Sequence, residues 1–253
     1  MKLQKLLSRF ADLSGTGLLT AIDLYTSDTV ATHKLGQMHY SGSKIFRYVK
    51  AGASNLVVGN LLQAPVIDTQ FDDMAVPAAV ASGFDAVGSG VVITNGTTAV
   101  SAGDFKGGTL TVSVTPGLCE EYTIIDNSAA ANGAALTVYL DRKIRTAWTT
   151  STKVTLRNVY NGVIQAPTTL TGAIVGVAIY AIPAGQYGWI QTKGICGALS
   201  DNSSGAVGSD VSNSAATAGA VGVMVAGTGR AVVGQTTRAL SSGKGVPVNL
   251  RID

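Results

Sequence analysis

Charge is scarce in this chain. Only 13% of its 253 residues are Asp, Glu, Lys or Arg, about half the usual share. A free monomer normally covers its surface with charge. Much of this surface is therefore expected to sit against other subunits, or to present a neutral Ser, Thr, Asn and Gly face. The second half lacks more. From Asn158 to Asp253 there is no His and no Glu, and the only Asp residues are Asp201, Asp210 and Asp253. General acid–base catalysis leans on positioned His, Glu or Asp, so this half holds materials for a scaffold and few for a reaction.

Cysteine is nearly missing too. Cys119 and Cys196 cannot hold a metal by themselves and form no C-x-x-C pair. They read as small buried hydrophobes, the other reading being a disulfide to each other or to a neighbouring subunit. No run of about 18 apolar residues occurs, so no membrane-crossing helix is expected. MKLQKLLSRFADL is broken by Gln4, Lys5, Ser8 and Arg9 where a secretory segment would be continuous. The formal net charge is only +3, and no Lys/Arg run of phosphate-tracking length is present, so no specific nucleic acid is expected. The 31 glycines lack a triplet period and mark turns and bulges.

What is present is mostly strand. IFRYV from Ile45, LVVGNLLQ from Leu56, VVIT ending at Asn95-Gly96, TLTVSVT ending at Pro116-Gly117, EYTIID, ALTVYL and KVTLRNV all carry strand signals. After Pro167 come AIVGVAIYAI, YGWIQTKGICGAL, AVGVMVA, RAVVGQTTRAL and PVNLRI. Strands at about ten-residue spacing with turn signals predict an all-β chain of small antiparallel barrels or sandwiches. One helix is expected. Leu3, Leu6, Leu7, Phe10 and Leu13 recur at three- and four-residue steps, with Lys2, Lys5 and Arg9 mostly opposite, until Gly15 and Gly17 stop the pattern. So short a helix is marginal alone, so its apolar face needs a dock: its own β domain, a neighbouring protein, or a membrane surface. The expected organisation is an N-terminal helix and extended arm over 1–40, a barrel or sandwich from 41–85 plus 161–253, and a candidate inserted β subdomain over 86–160.

His33 and His39 lack the four-residue helical spacing that pairs imidazoles, and read as incidental. Asp68, Asp72 and Asp73 share one loop without a calcium-loop pattern. Glu120 or Glu121 with Asp141 could sketch a glycoside-hydrolase pair. Gly227-Thr228-Gly229, Gly88-Ser89-Gly90 and Ser242-Gly243-Lys244-Gly245 fail the dinucleotide, nucleophile-elbow and P-loop patterns. No catalytic, metal or cofactor site is expected. Arg142, Lys143 and Arg145, with Trp148 nearby, form the strongest basic cluster, either a solvated hairpin loop, a contact to an acidic partner, or a base-stacking site. Tyr187, Trp189 and Gln191 share one strand face. They either fill a barrel core or anchor a contact between subunits.

FRYVKAGASNLVVGNLLQAP, residues 46–65, together with GQYGWIQTKGICGAL and AVVGQTTRAL, resembles tailed-bacteriophage virion structural proteins, head decoration (cement) proteins above all. The resemblance is one of small residues and turns over residues 45–65 and 170–253. It implies small β barrels on the outer capsid surface, a virion location, a major capsid protein as partner, and a homo-oligomer, with a trimer as the implied state. It carries no catalytic motif, so a non-enzymatic role is expected. The contact residues proposed on this footing are Leu3, Leu6, Leu7, Phe10, Arg142, Lys143, Arg145, Tyr187 and Trp189. A head or tail fibre contacting the host surface is the first alternative, and a surface glycan-acting enzyme the second.

Overall fold

The computed structural model describes residues 22–201, 205–225 and 230–253. In chain order the strands are β1 (Ser27–Asp28), β2 (Met38–Ser41), β3 (Lys44–Ala51), β4 (Leu61–Gln63), β5 (Met74–Ala75), β6 (Val91–Thr94), β7 (Thr109–Val114), β8 (Glu121–Asn127) and β9 (Ala135–Leu140). They continue as β10 (Lys153–Arg157), β11 (Asn161–Gln165), β12 (Ile174–Ala178), β13 (Tyr187–Leu199), β14 (Asp210–Asn213), β15 (Val221–Val223), β16 (Gly234–Thr236) and β17 (Gly245–Arg251). Among the described residues one 3-10 turn, Thr69–Phe71, is the only helical element. The chain is all-β, as its spacing predicts. The expected N-terminal helix, with Leu3, Leu6, Leu7 and Phe10, lies outside the described residues.

Five strands close on themselves. β3 pairs with β13, β13 with β12, β12 with β4, β4 with β11, and β11 returns to β3 as the one parallel pairing of the ring. Its inward face follows from strand alternation. On β3, Val49 and Ala51 point in with Leu62, Ala64, Val163, Val175 and Ile190, while Phe46 and Tyr48 point out into a different cluster. β13 is long enough to leave the ring. Its first half pairs with β3, and Lys193–Leu199 pairs with β17. β16, β14 and β15 extend from β17 over a second core of Cys196, Ala198, Val211, Val221, Val246, Val248 and Leu250. Where β13 changes partner its register shifts between Gln191 and Lys193, and Gly194 takes φ +83. Only glycine adopts that conformation freely, and a Cβ there would stand 2.9 Å from the Ser43 carbonyl oxygen.

A second unit is inserted between β4 and β11. These two are antiparallel neighbours, Ile164 opposite Gln63 and Gln165 opposite Leu62, so a whole domain replaces what could be a hairpin loop. Its sheet runs β5-β10-β7-β8-β9-β6 over a separate core that includes Met74, Val91, Ile93, Leu110, Tyr122, Leu136 and Trp148. The insert begins earlier than the residue 86 expected from sequence. β5 pairs with β10, and Met74, Val76 and Ala86 sit in the insert's core. Pro77 interrupts the apolar pattern there and hides a two-residue strand. Polar ties join the units. The Asn161 side-chain amide donates to the Asp104 carbonyl at 2.7 Å, and that of Asn158 to the Lys106 carbonyl at 2.9 Å.

Candidate functional site

The outward face of β3 and β13 is aromatic. Trp189 lies opposite Tyr48 in the ladder, their ring centroids 5.2 Å apart, and Tyr187 stacks on Tyr48 at 6.1 Å. Residues 22–37 lie over this face as a strap, with Ile22, Leu24 and Leu35 packed against Phe46, Tyr48 and Trp189. The strap is fastened by backbone and side chains together. Ser27 and Asp28 pair with Gly188 and Tyr187. The Tyr48 hydroxyl donates to the Asp28 carboxylate at 2.6 Å, and the Thr32 hydroxyl donates to the same carboxylate at 2.7 Å. Arg47 donates to the Gly36 carbonyl at 2.9 Å and holds Asp253 in a two-pronged ion pair. Gly36 has φ +76, and a Cβ there would press into the Tyr160 ring at 2.7 Å. Burial of each large side chain under the strap is worth about 1.5–3 kcal/mol.

Trp189 is 2% exposed. It fills neither the barrel interior nor an open contact surface, but faces this chain's own strap. Tyr187 is half-buried beside it, with the Lys50 ammonium 5.7 Å from its ring centroid. Sequence periodicity identified the shared face and missed its cover, because residues 18–40 have no sustained period. Burial, and then the bond to Asp28, push the Tyr48 phenol above its ordinary value. The bond from Arg47 holds the Asp253 carboxyl low.

The basic cluster sits on the loop between β9 and β10. Arg142 pairs with Asp141 at 2.9 Å, and its guanidinium lies 4.8 Å from the Tyr122 ring centroid. Arg145 donates to Glu120 at 3.1 Å while remaining 78% exposed. Glu120 is buried and also accepts from the Tyr122 hydroxyl at 2.6 Å and from Thr146. Lys143 is exposed and forms no ion pair among the described residues. Trp148 is in the insert's core against Tyr122, so it is no surface platform for base stacking. Of the carboxylates sketched as a hydrolase pair, Glu120 is tied as above and Asp141 is held by Arg142 and the Thr123 N–H, while Glu121 is exposed. In the acidic loop, Asp72 pairs with Arg157, Asp73 accepts from Ser113, and Asp68 caps the 3-10 turn.

Among the described residues no group of three His, Cys, Asp or Glu side chains could hold a metal ion, and no helix is long and apolar enough to cross a membrane. Cys119 is exposed and Cys196 buried, both unbonded. Cys119 therefore departs from the buried reading, since it occupies a tight turn with φ +64. Burial pushes the Cys196 thiol up to about 11.

A cleft of about 390 Å³ opens between barrel and insert. The edge-to-face pair Phe71 and Phe105, 4.9 Å apart, lines it with Val100 and Leu156. Val66 and Ile67 stand at its rim, more than half exposed. Val57 and Val58 are similarly exposed on the loop between β3 and β4. Val57 and Val58 read in sequence as part of the strand LVVGNLLQ, but β4 begins only at Leu61. Val66 and Ile67 carry one sequence signal, an apolar pair directly after Pro65 and outside any alternating run. No family model, no curated protein and no solved structure matches this chain.

Proposed function

We propose that this chain is a capsid decoration (cement) protein of a tailed bacteriophage, non-enzymatic, bound on the outer capsid surface. The observation that carries the reading is the surface itself. With 13% charged residues, the chain exposes the aliphatic pairs Val57–Val58 and Val66–Ile67 on two separate loops, one before and one after β4, of a two-unit β scaffold. Adjacent exposed aliphatic residues on a surface this poor in charge are what supports a contact role. The partner is the major capsid protein, and the chain acts as a homo-oligomer, a trimer on the resemblance. Its work is mechanical: it spans joints between capsid subunits and adds contact area that resists internal pressure. Arg142, Lys143 and Arg145, at one end of the insert, supply polar rim contacts to an acidic neighbour.

Particles stripped of this protein should lose resistance to heat and to low salt, and regain it when the protein is added back. Unchanged particle stability sinks the cement role. A second reading, a fibre that touches the host surface, is favoured by the exposed rings of Tyr25, Tyr40 and Tyr180. Binding to a purified cell-surface glycan, lost on replacing those tyrosines, would select it instead.

A further inference from the structure

We propose that the strap is an acid-sensitive clasp: with His33 on the strap and His39 on β2 both protonated, residues 22–37 loosen from the Phe46, Tyr48 and Trp189 face and uncover it. The inference rests on the geometry of that face and stands apart from the cement reading. His33 and His39 are the chain's two histidines, and both rings meet the same indole. The centroids of His33 and Trp189 are 5.1 Å apart, those of His39 and Trp189 5.7 Å. His33 also meets Tyr48 at 5.1 Å, and His39 meets Phe46 at 6.4 Å. Neither imidazole has a hydrogen bond or ion pair among the described residues.

The charged groups around them are already engaged or exposed. On the strap, Asp23 accepts from the Tyr25 N–H, Asp28 accepts from Tyr48 and Thr32, and Lys34 is exposed. On β2, the Tyr40 hydroxyl contacts the Met38 sulfur. On β3, Arg47 holds Asp253 and lies 5.6 Å from the Tyr160 ring centroid, while Lys50 lies over Tyr187 of β13. No carboxylate forms an ion pair with either imidazole, and the Arg47 charge is already matched by Asp253.

One imidazolium against an indole is attractive. Two on the same indole repel each other, and each gives up water to stay there. Neutral rings fit the closed strap and doubly charged rings do not. His39 already registers both effects: burial first, and then His33, hold it below the ordinary imidazole range. A value depressed in the closed state means that closure weakens as pH falls through and below that range. An opened strap would offer Trp189, Phe46 and Tyr48 together, the residue types that anchor protein contacts.

The test uses the full chain, followed by tryptophan emission and acrylamide quenching from about pH 8 to about pH 5. Far-UV circular dichroism reports the strands in parallel. Trp148, buried in the insert's core, supplies a constant background. The expected result is a reversible red shift and a rise in quenching with the strand signal unchanged, and a flat profile for the chain carrying both His33→Gln and His39→Gln. If that double variant misfolds, the single variants should each show a smaller transition than the native chain. A flat native profile overturns the proposal. So do variants that follow the native profile, and so does a red shift that comes only with loss of the strand signal.

Discussion

Tyr48 donates a 2.6 Å hydrogen bond to the carboxylate of Asp28, fastening the barrel's outer face to a strand 20 residues earlier in the chain. The Tyr48 ring is fully buried, so the hydroxyl reaches this partner from a fixed position. The Thr32 hydroxyl bonds the same carboxylate and lies 3.1 Å from the Tyr48 oxygen, closing a three-membered polar knot over an aromatic floor.

Replacing Tyr48 by Phe keeps the ring and removes the donor. The Asp28 carboxylate then keeps one side-chain donor, Thr32, in a half-buried place. A loss of about 1–2 kcal/mol is expected. It should be read as a lower urea midpoint with an unchanged denaturant slope, accompanied by a red shift of Trp189 emission. An unmoved midpoint would show that strap pairing with β13 suffices without this bond.

β13 offers a comparison within one strand. Ile190 is fully buried in the barrel, whereas Ile195 is 44% exposed beyond it. Ile190→Ala should cost about 2–5 kcal/mol through lost burial and the cavity left behind. Ile195→Ala should stay within about 0.5 kcal/mol. Comparable losses for the two variants would contradict the assignment of inward and outward faces.

Glu120 predicts the acid limb of the insert's stability. Burial pushes its carboxyl up, but the bonds from Thr146, Tyr122 and Arg145 outweigh burial and hold it below its ordinary value. A carboxyl depressed in the folded state contributes stability that is fully present above its unfolded value, about 4.3. That contribution fades as pH falls through the folded value. Glu120→Gln should cost about 1–3 kcal/mol at neutral pH and flatten the decline below about pH 4. Most of that loss belongs to the buried hydrogen bonds, since the exposed Arg145 is screened by solvent. Trp148 emission during acid titration, native against variant, reads it. Parallel acid limbs would remove Glu120 from the account.

Much of this fold is legible along the chain, and the reason differs by element. Tyr187–Leu199 is read as one strand and is one, because its signal runs unbroken from the turn at Gly185. TLTVSV and ALTVYL alternate cleanly because each has one face in the insert's core. β11 and β5 were hidden for a local reason. Asn161–Gln165 is short and opens on Asn161-Gly162, a dipeptide that reads as a turn and not as strand, and Met74–Ala75 is only two residues long beside Pro77.

The strap was hidden for a longer-range reason. Asp28 finds Tyr48, and His33 finds Trp189, by contacts across sequence separations that no local period records. The aromatic face was visible as a pattern, and its occupant was not. The basic loop shows the converse. Arg142 and Arg145 stand out in sequence as cations; the partner of Arg142 is its neighbour Asp141, but that of Arg145, Glu120, lies 25 residues away and emerges only in the folded chain.

The insert leaves the barrel through β4 and β11, adjacent antiparallel strands joined by only two residue pairs. A tug on the insert therefore enters the barrel through two neighbouring strand ends on the same side. Bonds between such strands are strained one after another, as in a zipper, and not all together as in shear. The pairs that such a tug meets first are few: Asn161–Lys50 and Val163–Ala51 between β11 and β3, then the seam Gln63–Ile164 and Leu62–Gln165. The long β3–β13 ladder lies beyond them, so a pulling experiment on the two ends of the insert is expected to show an early, low-force step before the barrel opens.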